Sequence, residues 1–394
     1  MHIPDGFVDA PTALVTAAVS LGTLAIAARR TGREMGERTV PLLGVTAAFI
    51  FAAQMLNFPV AAGTSGHFLG AAFAAIVMGP WAAVVVMTVV VAVQAVGMAD
   101  GGITALGANV LNMGVVAVFA GYLAHRALRA VLPATATWYL AGVAVAAWLS
   151  TVAAAVATAI ELGASGTVPL RLVLPAMTSV HMVIGIGEAL ITTTVLGTIL
   201  ASRPDLVRNG PRHGSRAGRH SGAVGAERQE RPVSRPRAGR TWGFLAAGLV
   251  VAAALAVFVS PFASTAPDGL ERVAADQGFD GAGEQAVWNL SPIPDYSLPG
   301  FADGRLGTAV AGLLGTVIMF ALVLGLGRTL GARRPAPTPG DPRAGAIHPL
   351  GGHEHSDHRH AGHSHRGHEH SPRVPEDADP DHAHTHASHE EDGR

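Results

Sequence analysis

Long apolar runs alternate with short polar connections over most of this chain, and their lengths suit a lipid bilayer better than a soluble core. A membrane helix needs about 20 predominantly apolar residues with few charges. The runs Pro11 to Ala28, Pro41 to Phe58, Trp81 to Met98, Leu106 to Leu123, Thr137 to Ile160 and Met177 to Leu200 meet that requirement, as do Trp242 to Phe262 and Leu306 to Leu326. A further apolar stretch, His67 to Met78, is too short to assign by length. The basic residues decide it. Arg and Lys collect in cytoplasmic loops, and three connections are basic: Arg29 to Arg38, His125 to Arg129, and Arg203 to Arg240. The first two must share a side, so an even number of crossings separates them. That predicts that His67 to Met78 crosses as a short helix, with Gly79-Pro80 turning the chain back. The expected fold is an all-α polytopic membrane protein, with a seven-helix bundle to about residue 200 and its N-terminus outside. A two-helix companion unit follows.

Between the two units, residues 201–240 are rich in Arg, Gly, Pro and Ser without hydrophobic periodicity, and read as a disordered cytoplasmic linker. The companion unit, 241–334, places an external segment, 264–305, between its two spans and returns to Arg328, Arg333 and Arg334, a basic end again expected inside. From Pro335 to Arg394 there is no apolar run, and the segment holds 13 of the 19 histidines; it reads as a disordered cytoplasmic tail. The start, MHIPDGF, lacks the positive stretch that a cleavable signal peptide carries, so the N-terminus is expected to be retained.

Composition agrees with a bilayer as the main solvent. Mean hydropathy is +0.36, and charged residues make up 14%, against roughly 25% in soluble proteins. A net charge of −1 gives no reason to expect a nucleic-acid partner. Cysteine is absent, which excludes disulfides and thiolate metal sites. Lysine is absent too, so the chain cannot form the G-x-x-x-x-G-K-[ST] phosphate loop. Energy from ATP would have to arrive through a partner. No cofactor and no enzymatic activity are expected.

The N-terminus itself carries metal chemistry. The free amine of Met1, the amide nitrogen of His2 and the His2 imidazole Nδ1 can grip one ion, closing a five-membered and a six-membered chelate ring. These three donors are coplanar and leave one planar position open, an arrangement that selects Ni(II) or Cu(II). The large His2 side chain hinders removal of Met1, and Pro4-Asp5-Gly6 is a turn signal that would fold the terminus back into the bundle. A fourth donor must come from the same side. The external loop FPVAAGTSGHFLG supplies His67, with Gly63, Ser65 and Gly66 allowing close backbone approach. The alternative is a structural histidine at a membrane interface.

MHIPDGF at the start, FAAQMLNFPVAAGTSGHFLG at 51–70 and HMVIGIGEALITT at 181–193 resemble the cobalt/nickel substrate-specific component of energy-coupling-factor transporters. The resemblance covers the chain to about residue 200. It implies a metal site of amine, amide and imidazole from Met1 and His2, completed by His67. It also implies Ni(II) or Co(II) as the transported ligand, with a separate transmembrane coupling component and ATP-binding cassette ATPases as partners in a bacterial cytoplasmic membrane. STAPDGLERVAADQGF at 264–279 and SPIPDYSLPG at 291–300 resemble the small companion component of the same transporters, here fused.

Several polar residues lie in the spans. Gln54, Asn57, Asn109, Asn112 and His181 could hydrogen-bond the metal's donors and orient them, or could simply join helices. His181 and Glu188, seven apart on one helical face, could pair with each other or meet a partner subunit, and His125 reads as interfacial. The histidine-rich tail has metal-binding composition and fits a cytoplasmic metal buffer. It also fits a secondary metal transporter or exporter, a class that would need carboxylate–histidine pairs inside several spans, where they are nearly absent. A membrane metalloprotease is a third class, but the spans hold no H-E-x-x-H.

Overall fold

The computed structural model describes residues 1–34, 39–61, 63–207, 238–283, 287–288, 290–298, 300–301 and 304–332. The helices are α1 (Ala10–Glu34), α2 (Thr39–Gln54), α3 (Ala71–Met78), α4 (Pro80–Met98), α5 (Leu106–Asn109), α6 (Ala117–Val131), α7 (Ala136–Ala164), α8 (Leu170–Ser202), α9 (Ala238–Ala254), α10 (Gly269–Gln277) and α11 (Gly304–Ala332). A π-helical stretch, Val110–Val116, joins α5 to α6 into one rod. Seven helical segments among the described residues are long and apolar enough to cross a membrane. Five precede the linker, and Trp242–Phe262 and Gly304–Ala332 follow it. The multi-pass, all-α fold expected from the apolar runs is therefore present. The one sheet among the described residues is a two-residue antiparallel pairing of Phe58–Pro59 with Ser65–Gly66.

The stretch expected to cross as His67 to Met78 is helical only from Ala71. At 1.5 Å per residue its 8 residues run about 12 Å, well short of a hydrocarbon core of about 30 Å. It is a half-length helix, buried at every position. Backbone that is neither helix nor barrel survives at membrane depth only where protein groups satisfy it, and here they do. Glu188 of α8 accepts from the Leu69 and Gly70 amides at 2.6 and 2.9 Å, and Gln54 of α2 donates to the Leu69 carbonyl at 2.8 Å. Gly70 takes a left-handed φ of 78° to enter the helix. Gly79 (φ 89°) and Pro80, in the first turn of α4, then reverse the chain as expected.

Contacts sort the connections into two ends. At one end, Ser65 N–H donates to the Pro267 carbonyl, Ser264 N–H to Asn57, Ile293 N–H to Gly97 and Gly102 N–H to Ile3, at 2.7–3.1 Å. The loops after α2, α4 and α9 thus meet around the N-terminus. At the other end, Arg30 stacks on Trp81, Arg129 on Tyr139 and Arg203 on Phe244. The basic segments before residue 207 share one end of the bundle.

The two helices after the linker lie on α2. Small residues permit this: Gly44 faces Phe320, Gly327 faces Val40, and Gly312 faces Met55. The linker itself starts later than residue 201, because α8 continues to Ser202 and a short turn, Pro204–Leu206, follows, with Arg203 paired to Asp205. Residues 208–237 and the histidine-rich tail lie outside the described residues.

Candidate metal centre

Residues 1–8 form no regular element, yet other segments hold them at several points. Asn109 of α5 clamps Ile3 from both sides, accepting from its N–H at 2.7 Å and donating to its carbonyl at 3.0 Å. Asp5 accepts from Thr104 N–H (2.8 Å), Thr104 O–H (2.6 Å) and Val287 N–H (3.0 Å). Gly6 takes φ 85° to make the turn expected at Pro4-Asp5-Gly6, and Thr167 holds the Phe7 carbonyl at 2.6 Å. This strapping buries Met1 to 4% exposure and delivers its nitrogen to the loop before α3.

There the Met1 amine lies 2.9 Å from His67 Nε2 and makes an ion pair with Asp268. His67 Nδ1 lies 3.1 Å from the Phe68 carbonyl. A carbonyl only accepts, so Nδ1 carries the proton and Nε2 presents a lone pair to the amine. Burial first, then the neighbouring ammonium, push the His67 imidazole down to about 3, so it is neutral and available as a donor at physiological pH. The His2 ring stacks on His67 with centroids 5.3 Å apart and planes 18° from parallel. Its Nδ1 faces Asp100 at 3.0 Å and its Nε2 faces the Gln94 carbonyl oxygen at 3.2 Å. The chelate expected of His2 therefore requires Nδ1 to leave Asp100.

Two carboxylates thus hold the two ends of the expected chelate. Burial alone would raise both, but the Met1 ammonium outweighs it at Asp268, and His2 and Tyr296 outweigh it at Asp100; both stay well below the ordinary carboxylate range. Tyr296 donates to Asp100 at 2.6 Å and accepts from Gln94 at 3.1 Å. Its phenol is pushed up by burial and by Asp100, so it remains a donor. A cavity of about 10 Å³ opens between Met1, His67, His181 and Asp268. It has room for about one water-sized atom, not for an organic ligand. Among the described residues no group of three or more His, Cys, Asp or Glu side chains is placed to hold a metal by itself.

The other polar residues singled out in the sequence divide. Asn109 and Gln54 buttress the site, through Ile3 and through Leu69. His181 lines the cavity, with its Nδ1 on the Met177 carbonyl at 2.8 Å. Asn112 turns elsewhere and donates to Thr158 and Glu161 of α7 at 3.1 and 2.6 Å. Asn57 meets Ser264 through its backbone and borders an outer cleft of about 860 Å³ with Ser264 and Tyr296. Glu188 turns to the Leu69 and Gly70 amides rather than to His181, and so anchors the His67 loop. His125 packs edge-on against Tyr139 at the basic end. Asp100, Gln94, Asp268 and Tyr296 were not foreseen. Gln94 did carry a signal, as a lone amide in an apolar helix.

Glu188→Ala is expected to leave the Leu69 and Gly70 amides without an acceptor, at about 1–3 kcal/mol for each buried group. The purified protein should melt at lower temperature and bind metal more weakly as the His67 loop loosens. Glu188→Gln keeps one acceptor oxygen and should recover part of both losses.

Residues 2–206 match the CbiM family model, described as the cobalt uptake substrate-specific transmembrane region, and residues 242–332 match the PDGLE domain. A putative fused nickel transport protein, NikMN, of Archaeoglobus fulgidus is 37% identical over 336 residues, which is 83% of this chain and 98% of that one. The fused nickel transport protein NikMN of Rhodobacter capsulatus is 32% identical over 358 residues, 84% and 98% of the two chains. A probable fused nickel transport protein, LarMN, of Lactiplantibacillus plantarum is 29% identical over 350 residues, 83% and 97%.

Proposed function

The chain belongs to the CbiM family of cobalt-uptake substrate-specific transmembrane proteins, with a PDGLE domain in the same polypeptide, and on that premise we propose that it captures Ni(II) or Co(II) for an ATP-driven importer. The metal is held by the Met1 amine, the His2 amide and Nδ1, and His67 Nε2. The observation that carries this reading is the 2.9 Å between the Met1 nitrogen and His67 Nε2. Two nitrogens at right angles about an ion, each about 2.0 Å from it, sit about 2.8 Å apart. Neutral His67 supplies its donor ready-made. The His2 ring already stacks beside it and needs only to turn from Asp100.

In this reading the Met1 end of the bundle is external and the arginine end cytoplasmic. A coupling protein and ATPases then act from the arginine side, because this chain has no phosphate loop of its own. The fused relatives are named for nickel and the family model for cobalt, and a planar set of four nitrogens favours Ni(II). Chelation releases the amine and amide protons, so affinity rises with pH.

Uptake of radioactive nickel and cobalt by cells tests the reading. Uptake should need both this chain and the ATPases, and N-terminal sequencing should find Met1 first with its amine free. Uptake that persists without the ATPases would make the chain a self-sufficient carrier and sink the proposal. Protease added to intact cells should leave a C-terminal tag whole. Its digestion would reverse the orientation.

A further inference from the structure

We infer that the metal site is completed from the second unit of the chain: Asp268 of the Pro267-Asp268-Gly269-Leu270 segment is a positioning residue that aims the Met1 amine at the metal. This deepens the proposed function and rests on it. The segment is built residue by residue to bring one carboxylate oxygen to one nitrogen. Pro267 and Ala266 offer their carbonyls to Ser65, two residues before His67: Ser65 N–H donates to Pro267 at 2.8 Å and Ser65 O–H to Ala266 at 2.7 Å. Gly269 lies where a Cβ would stand 2.7–2.9 Å from the His181 ring and Ile184, so a larger residue would have to push these side chains aside for the segment to seat on α8. Leu270 is buried beneath it at 1% exposure. Glu271 closes a capping box, accepting from Asp268 N–H at 2.9 Å.

Within that frame the two oxygens of Asp268 have different tasks. Oδ1 caps α10, accepting from Leu270 and Glu271 N–H at 2.8 and 2.9 Å. Oδ2 is left to face the Met1 amine, which also faces His67. A helix cap needs only one oxygen. The second is committed to a residue more than 260 positions away in sequence. When the amine gives up a proton and binds metal it keeps two N–H bonds, and one can still donate to Oδ2. The carboxylate then orients the donor and raises its basicity, as carboxylates do behind metal-bound histidines. The same unit reaches the other arm of the chelate, through Tyr296 on Asp100 and Asp100 on His2.

The test separates capping from amine positioning. Asn is as good a cap as Asp, but in Asp268→Asn the cap takes the one carbonyl oxygen, and the remaining amide group cannot accept from the amine. Nickel titrations of the purified full chain should show about 10–100-fold weaker binding in Asp268→Asn, with the absorption of planar Ni(II) diminished. Asp268→Ala should be no better. Glu271→Ala, which opens the capping box but spares Oδ2, should stay near wild type. Asp268→Asn at wild-type affinity would reduce Asp268 to a cap and overturn the inference, provided His67→Ala binds poorly in the same assay. Tighter binding in Asp268→Asn would also overturn it, since the carboxylate would then be competing with the metal for the amine. Wild-type affinity in both variants would overturn the four-nitrogen site, and the role of Asp268 with it.

Discussion

His67→Ala is expected to lower nickel affinity by more than about 100-fold, because losing an orienting neighbour alone costs 10–100-fold and His67 is a donor itself. The ring is held neutral, its Nδ1–H is spent on the Phe68 carbonyl, and its Nε2 is aimed at the Met1 nitrogen. The loop that carries it is tied at Leu69 and Gly70, so the alanine variant should fold and reach the membrane. Deleting the tail from Ile347 onward should leave affinity nearly unchanged, since the cluster is built entirely from residues before 300. Titration of the two purified variants decides the matter. Lost binding on tail deletion, with His67→Ala unaffected, would move the site to the histidine-rich tail.

One residue added before Met1 should eliminate transport, although no side chain changes. Consecutive Cα atoms lie about 3.8 Å apart, so the free amine moves out of the pocket and the Met1 nitrogen becomes an ordinary amide. Met1 is 4% exposed and the cavity beside it is about 10 Å³, so the extra residue has nowhere to go. Histidine in third place can also form a plane with the amine and two amides, without His67. That complex would hold nickel yet fail to seat it. Uptake should vanish while expression persists, and the same residue added at the C-terminus should be harmless. Wild-type uptake, with sequencing proof that the extra residue is retained, would remove the amine from the site.

The bundle was largely legible because a bilayer forces long apolar helices, and the basic residues marked the end they share. What the pattern could not show was where α3 begins. Phe68 and Leu69 are as apolar as the helix they precede, and the distant Glu188 and Gln54 bind the backbone of this stretch outside it. The linker boundary was misplaced for a similar reason. Arg203 looks like the start of a basic linker, but Asp205 and Phe244 fold it against the bundle. Of the residues that meet at the candidate site, Met1, His2 and His67, which the structure brings together, could be named because chelate chemistry depends on adjacent atoms and on one open position. Asp100, Asp268 and Tyr296 could not, since each reaches the site across a gap in sequence that no periodicity spans. Asp268 did carry a local signal, an Asp three residues before a Glu at a helix start. That signal announces a cap, not the amine its second oxygen meets.

X-ray absorption at the nickel edge, on the loaded full-length protein and on His67→Ala, tests the four-nitrogen site most directly. The site described here gives a planar, four-coordinate nitrogen environment with two imidazoles, reduced to one imidazole in His67→Ala. A six-coordinate, oxygen-rich environment, or a spectrum unchanged by the substitution, would contradict it.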